Sequence, residues 1–254
     1  MSAENLPARF LLEHHSGYRL GREELVVQKV AEEHGREVEI ASLSQIRRRK
    51  VSPGINTAVV GSIPFVKAAL MALGKKLPEP NPYPDVLQEY LHRTVQVLPI
   101  KVALEHIERS GTPLFIKPAQ RWKSFTGCVP ADGRDVRLNG ASRNQEVWVS
   151  SPVHFVSEWR AYVLNGQVRH VAWYDGLREF APESEVVHQA VSRYVESGAP
   201  VGFAIDFGVL STGETALVEV NDGFSVGAYE GIAPLTYTRL IANRWFEMAC
   251  DKPA

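Results

Sequence analysis

The sequence of 254 residues is short of several things, and each shortage removes a class of function. Two cysteines, Cys128 and Cys250, make neither a disulfide framework nor a zinc site. No apolar run approaches the roughly 20 residues of a membrane span, and the N-terminus lacks a signal-peptide core. An excess of charge of one sign is lacking too: 28 Lys and Arg stand against 29 Asp and Glu, and the formal net charge of −1 argues against a general nucleic-acid or membrane-surface binder. There is no internal repeat and no low-complexity tract. No Ser-His-Asp or Cys-His set stands in a plausible motif, and Cys128 is read as incidental. The expectation is a cytoplasmic protein with no nucleic-acid or membrane partner and an oligomeric state left open.

What is present is concentrated in residues 201–230. Residues 201–210 and 215–220 are rich in Val, Ile and Phe, and Ser211-Thr212-Gly213-Glu214 supplies turn chemistry between them. With the turn centred on Thr212-Gly213, Asp206 falls opposite Glu219, and Asn221 follows on the same face because side chains alternate. The other face, with Val201, Phe203, Ile205, Phe207 and Val209 against Val220, Val218 and Ala216, reads as core. Gly202, Ala204 and Gly208 are expected to leave room beside the acids. Facing carboxylates repel unless a cation lies between them. Asp, Glu and Asn oxygens suit Mg²⁺, which binds through a few carboxylates plus substrate phosphates. A solvated acidic hairpin face is the competing interpretation.

Along the chain, strands are predicted at 8–13, 38–41 and 57–61 and helices at 21–34 and 63–73, giving a small parallel α/β lobe. The loop His14-His15-Ser16-Gly17-Tyr18 stands where such sheets bind ligands, although paired histidines are more often solvated. The run Ser44–Lys50 reads as a solvated basic loop, and Leu77–Pro84, with four prolines, as a linker. Helices are predicted at 85–97 and 101–110, then the strand Phe115-Ile116-Lys117-Pro118. Gln120–Gly127 is a flexible turn able to offer backbone N–H groups to phosphate. A polar connection over 132–144 need not be ordered. A strand ends at Ser150-Ser151-Pro152. A second hairpin follows, 155–164 and 167–174 about Asn165-Gly166. Its faces separate Glu158, Arg160 and Tyr162 from Phe155, Trp159, Ala161 and Val163. Helices are predicted at 183–197 and 235–249.

Taken together, Phe115-Ile116-Lys117-Pro118, Lys123-Ser124-Phe125-Thr126-Gly127, Ser157-Glu158-Trp159-Arg160 and Asp206…Glu219-Val220-Asn221 resemble the ATP-grasp superfamily, over about residues 80–232. The resemblance implies an α/β fold of α+β lobes: an N-terminal lobe at 1–80, a small subdomain at 81–149, and a large subdomain with the metal site at 150–254. It implies ATP and Mg²⁺ as cofactors, with Asp206, Glu219 and Asn221 holding the metal. Lys117 matches the lysine on the phosphates, and Arg93 an earlier basic contact for which Lys101 competes. Lys123, Ser124, Thr126 and Gly127 match the loop that closes over the phosphates. Ser150, Ser151 and Val153 match the segment that reads adenine, and Glu158 the acid on the ribose. Many members carry Glu at the position of Ser151. Many also carry Arg two or three residues before the metal-binding Asp, where this chain has Phe203 and Ala204; Arg160 is the candidate replacement, so Arg160 and Lys117 are the expected catalytic cations. The implied reaction is carboxylate activation as an acyl phosphate, then attack by an amine or other nucleophile. The alternatives are a kinase that phosphorylates an acceptor directly and a nucleotide-binding module without turnover.

Overall fold

The computed structural model describes residues 6–54, 56–119 and 125–250. Lys123 and Ser124 of the expected phosphate loop lie outside these residues. Three sheets carry the architecture.

The first is parallel: β1 (Arg9–Glu13), β2 (Glu37–Ala41) and β3 (Thr57–Val60), in the order β2-β1-β3. Between the strands run α1 (Arg22–Glu33) and α2 (Leu43–Arg47), and α3 (Ile63–Ala72) follows. Phe10, Leu11 and Leu12 are fully enclosed, as expected of a parallel strand covered on both faces. The basic run was expected as a loop, but its first half is helical. Ser42 accepts from the Gln45 amide while the Gln45 side chain accepts from the Ser42 amide, a capping box that nucleates α2 and buries Ile46.

The linker contains no regular element, yet it is docked: Pro82 accepts a 2.9 Å bond from the Val220 amide. The helix expected over 85–97 is instead a 3-10 helix, Asp85–Leu91, followed by strand β4 (Val95–Pro99). His92 adopts a left-handed conformation (φ 51°) that ends the helix, and the β-branched Val95 and Val97 then extend. α4 (Ile100–Ser110) ends at left-handed Gly111. β5 (Phe115–Pro118) and β6 (Glu146–Ser150) complete an antiparallel sheet, β4-β6-β5, on which α4 packs. The polar connection contributes a short 3-10 turn whose Leu138 enters this core.

The third sheet, β10-β9-β7-β8, is antiparallel. Its strands are β7 (Phe155–Leu164), β8 (Gln167–Gly176), β9 (Gly202–Leu210) and β10 (Thr215–Asp222), with α5 (Ser184–Glu196) between β8 and β9 and α6 (Pro234–Ala249) closing the chain. Asn165 and Gly166 both have positive φ, which a tight hairpin turn requires. One face packs Ala161, Val163, Phe203, Ile205 and Phe207 against Val187 and Val191 of α5 and Leu87 and Leu91 of the 3-10 helix. On the other, Tyr162, Ala172 and Ala204 join the core of the parallel sheet through Tyr237, Leu240 and Trp245 of α6. No helix among the described residues is long and apolar enough to cross a membrane.

Candidate active site

Three charged residues on adjacent strands form a row. Glu219 of β10 pairs with Asp206 of β9, and Asp206 with Arg160 of β7. The turn alone does not set this register. Between the turn and Leu217, partner numbers sum to one less than expected, and Val218 is an extra residue that restores the alignment at Glu219. The bulge also exchanges neighbours: Leu217 is buried and Val218 only partly so, correcting the expected core.

Arg93 holds that bulge. Its guanidinium donates to the carbonyls of Leu217 (2.8 Å) and Val218 (2.9 Å), and also to Leu91 (3.0 Å). The residue expected as a phosphate contact therefore spends most of its donors on backbone. What it does structurally is fix the strand that carries Glu219.

Arg160 and Asp206 are almost wholly enclosed, at 7% and 2% exposure. Arg160 Nε and Nη2 donate to the two Asp206 oxygens, each at 2.7 Å. Burial pushes the Asp206 carboxyl up to about 6, against the pull of Arg160. Burial also works against the Arg160 charge, but the bonds to Asp206 outweigh it and raise its pKa. Arg160 Nη1 forms no hydrogen bond among the described residues, so one arm of the fork remains available. The guanidinium is also placed by aromatic rings, with Tyr229 at 4.6 Å and Tyr174 at 5.8 Å.

Lys117 arrives from the other antiparallel sheet. Its ammonium donates to Glu219 Oε2 at 2.6 Å and lies 4.3 Å from the Tyr83 ring centroid. Burial raises the Glu219 carboxyl, but Lys117 and Asn221 more than offset it and the net shift is downward. Asn221 Nδ2 donates to Asp206 Oδ2 (3.0 Å) and Glu219 Oε1 (3.2 Å), tying the two acids together. Thus the two β strands expected to bear a metal bear two carboxylates and an amide on one face. Among the described residues no cluster of three His, Cys, Asp or Glu side chains could hold a metal. Two carboxylates and an amide suit Mg²⁺, which commonly takes its other ligands from phosphate and water.

Around this row stand other expected residues. Glu158 pairs with Gly208 and accepts a 2.6 Å bond from Tyr174 Oη; burial raises its pKa, which that bond opposes. Thr126 and Gly127 line a cavity of about 570 Å³ together with Lys117, Glu219 and Asn221. Gly127 sits so close to β5 that a Cβ would lie 2.6 Å from the Phe115 ring. Ser150 is buried at the end of β6 and donates to the Ser151 carbonyl (3.0 Å), and Val153 lies between β6 and β7. Cys128 is buried and its thiol is pushed up, which disfavours the reactive thiolate.

Room beside the acids is smaller than expected. A Cβ on Gly208 would fall 2.1 Å from the Phe155 ring, and one on Gly202 would fall 2.7 Å from the Leu240 carbonyl. Phe155 belongs on this face, not in the core, because the register slips between Phe155 and Ser157. Phe203 and Ala204 are fully buried in opposite cores, so no arginine would fit there. Tyr174 and Tyr83 were not foreseen. Strict alternation puts Tyr174 on the other face, but a register shift of β8 between its partners Glu158 and Trp159 alters its direction.

No curated protein matches the sequence. Among solved structures, an ADP complex of the N5-carboxyaminoimidazole ribonucleotide synthetase purK is 13% identical with TM-score 0.59, over 96% of this chain and 79% of that one. The macrocyclase MdnC from Microcystis aeruginosa MRC, bound with precursor peptide MdnA, is 12% identical with TM-score 0.53, over 91% and 97%. A RimK domain ATP-grasp protein from Sphaerobacter thermophilus is 14% identical with TM-score 0.54, over 93% and 98%. These likenesses establish a common fold. An ATP-grasp domain family, the second family of its clade, matches residues 90–240, more than half of the chain, and the protein belongs to it.

Proposed function

We propose that the protein is an ATP- and Mg²⁺-dependent ligase that activates a carboxylate as an acyl phosphate for attack by an amine. The observation that carries this reading is the row Glu219–Asp206–Arg160 with Asn221 bridging the acids and Lys117 reaching in from the opposing sheet. Asp206, Glu219 and Asn221 would hold Mg²⁺, which when bound offsets charge on the transferred phosphoryl group. Lys117 is a point charge for phosphate oxygens, and Arg160 offers the unbonded Nη1 while Asp206 fixes its other nitrogens. Glu158, held by Tyr174, takes the ribose hydroxyls, and the backbone of Ser150, Ser151 and Val153 takes the adenine edge. The loop that includes Lys123, Ser124, Thr126 and Gly127 covers the phosphates.

A carboxylate by itself is a poor electrophile because oxide would have to leave. Its oxygen attacks the γ-phosphorus of ATP as the bond to ADP breaks. The amine nitrogen then attacks the acyl carbon, the bond to phosphate breaks, and phosphate and one proton are released. Exclusion of water protects the acyl phosphate in between. Small molecules or peptides carry the carboxylate and amine; the macrocyclase of the same fold, bound with a precursor peptide, makes the peptide class reasonable. The cytoplasm, where ATP is abundant, suits this chemistry. Asp206→Asn and Glu219→Gln each should abolish Mg²⁺-dependent ADP formation with the circular dichroism spectrum retained. Turnover at the wild-type rate in either variant refutes the metal assignment.

A further inference from the structure

The basic run at 47–50 has no part in the row Glu219–Asp206–Arg160, but it borders a groove of about 800 Å³ where α2 and α3 pack together. None of the residues lining this groove lines the cavity around Lys117. Its floor is one face of α3. The sequence of that helix, IPFVKAALMA, has Lys67 as its sole polar residue, the composition of a helix covered all round. Only one side is covered: Phe65, Val66, Ala69 and Leu70 are fully buried in the core of the parallel sheet. Pro64, Lys67, Ala68 and Met71, at i, i+3, i+4 and i+7, line the groove instead. Met71 is 65% exposed, and Leu77 at the start of the linker adds to the apolar wall.

The rim is positive. Among the described residues Arg47, Arg49 and Lys67 line the groove and no Asp or Glu does, although the chain holds 29 acids. None of the three makes a side-chain hydrogen bond or ion pair among the described residues. Exposed cations elsewhere do: Arg9 pairs with Glu39, Lys29 with Glu33 and Arg193 with Glu89. Arg49 is also strained. It stands at φ 55°, the left-handed position after α2 that glycine or asparagine adopts more easily. Strain kept at such a position points to the side chain, here a charge at the groove.

Charge and surface together narrow the occupant. A second copy docking through the same face would set cation against cation. A nucleic acid would meet aliphatic side chains where its bases need aromatic rings to stack on. An amphipathic helix with aliphatic residues on one face and Asp or Glu along its borders satisfies both floor and rim. We propose that the groove docks such an acidic helix, contributed by a partner protein. Docking is independent of the ligase reading, since no residue of the groove belongs to the reaction centre.

The probe is a synthetic helix two heptads long, Glu-Leu-Glu-Ala-Leu-Leu-Glu repeated, capped at both ends and followed by fluorescence anisotropy against the full chain. Wild type should bind it, and should bind neither a shuffled peptide whose leucines encircle the helix nor a version with Lys in place of Glu. The side chains of Arg47, Lys67 and Met71 are exposed, so their variants should keep the fold. Arg47→Glu combined with Lys67→Glu should weaken binding by about tenfold or more, and Met71→Asp should weaken it as well. Arg48→Glu changes the net charge as much as Arg47→Glu does, but Arg48 does not line the groove, so it should cost far less affinity. Arg49→Gly should weaken binding while raising Tm, because glycine accepts the left-handed backbone. Absence of binding to wild type, or equal binding by wild type and the Arg47→Glu, Lys67→Glu protein, overturns the proposal. Equal losses from Arg47→Glu and Arg48→Glu would reduce the effect to net charge and overturn it too. So would tighter capture of a single-stranded oligonucleotide through the same two cations, or a dimer in sedimentation that their reversal dissolves.

Discussion

Arg160 and Asp206 confront each other from adjacent strands, joined by two 2.7 Å hydrogen bonds in a region almost without solvent. Such a pair is expensive to break on one side, because the surviving charge stays buried. Arg160→Ala should therefore destabilise the fold by about 3–5 kcal/mol. The double variant Arg160→Met with Asp206→Leu should recover much of that loss while forming no ADP. Thermal unfolding of the two proteins tests the first point, and an ADP assay the second. Equal unfolding temperatures for wild type and Arg160→Ala would remove the argument.

Arg93 makes a separable prediction. Its fork spans two carbonyls of the β10 bulge, which an ammonium cannot reproduce. Arg93→Lys should cost about 1.5–3 kcal/mol, the value of hydrogen bonds to a charged group. It should also lower kcat, because Glu219 directly follows the bulge. A change in KM for ATP with stability untouched would instead favour direct contact with phosphate.

Gly208 lies beneath Phe155, and Gly208→Ala inserts a methyl group where the ring already stands. The expected cost is about 1–3 kcal/mol from overpacking. Gly208→Ala combined with Phe155→Leu should be more stable than Gly208→Ala alone, as chemical denaturation would reveal.

Glu24 gives a pH dependence. Burial raises its carboxyl pKa above 4.5, so the folded state binds a proton more tightly than the unfolded state. Its stabilising contribution is complete below 4.5 and is lost as pH rises through the folded value. Glu24→Gln should consequently be more stable than wild type at neutral pH, with the gap closing on acidification. A gap that widens on acidification would contradict the sign.

Local chemistry made much of this legible beforehand. Alternation along 202–210 and 215–222, the turn at Gly213 and the Asn165-Gly166 hairpin place Asp206, Glu219, Asn221 and Arg160 on one surface. The misreadings share a cause as well. The predicted helix at 85–97, the expected core role of Val218 and the face given to Phe155 all assumed that a period continues through a segment. A left-handed His92 and the register shifts in β10 and β7 interrupt it. Such interruptions answer to neighbours: the Val218 bulge is bonded by an arginine 125 positions away.

Sequence alone, then, determined that 202–210 and 215–222 pair about a turn near Gly213 and that two acids and an amide share a face, because these depend on contacts within a hairpin. Tertiary structure decided what meets them. Lys117 reaches Glu219 across 102 residues and Arg160 meets Asp206 across 46. Arg47 and Lys67 come to border one groove only because α2 and α3 pack together. Those meetings follow from how sheets and helices stack, and side-chain pattern along one strand carries no record of the partner layer.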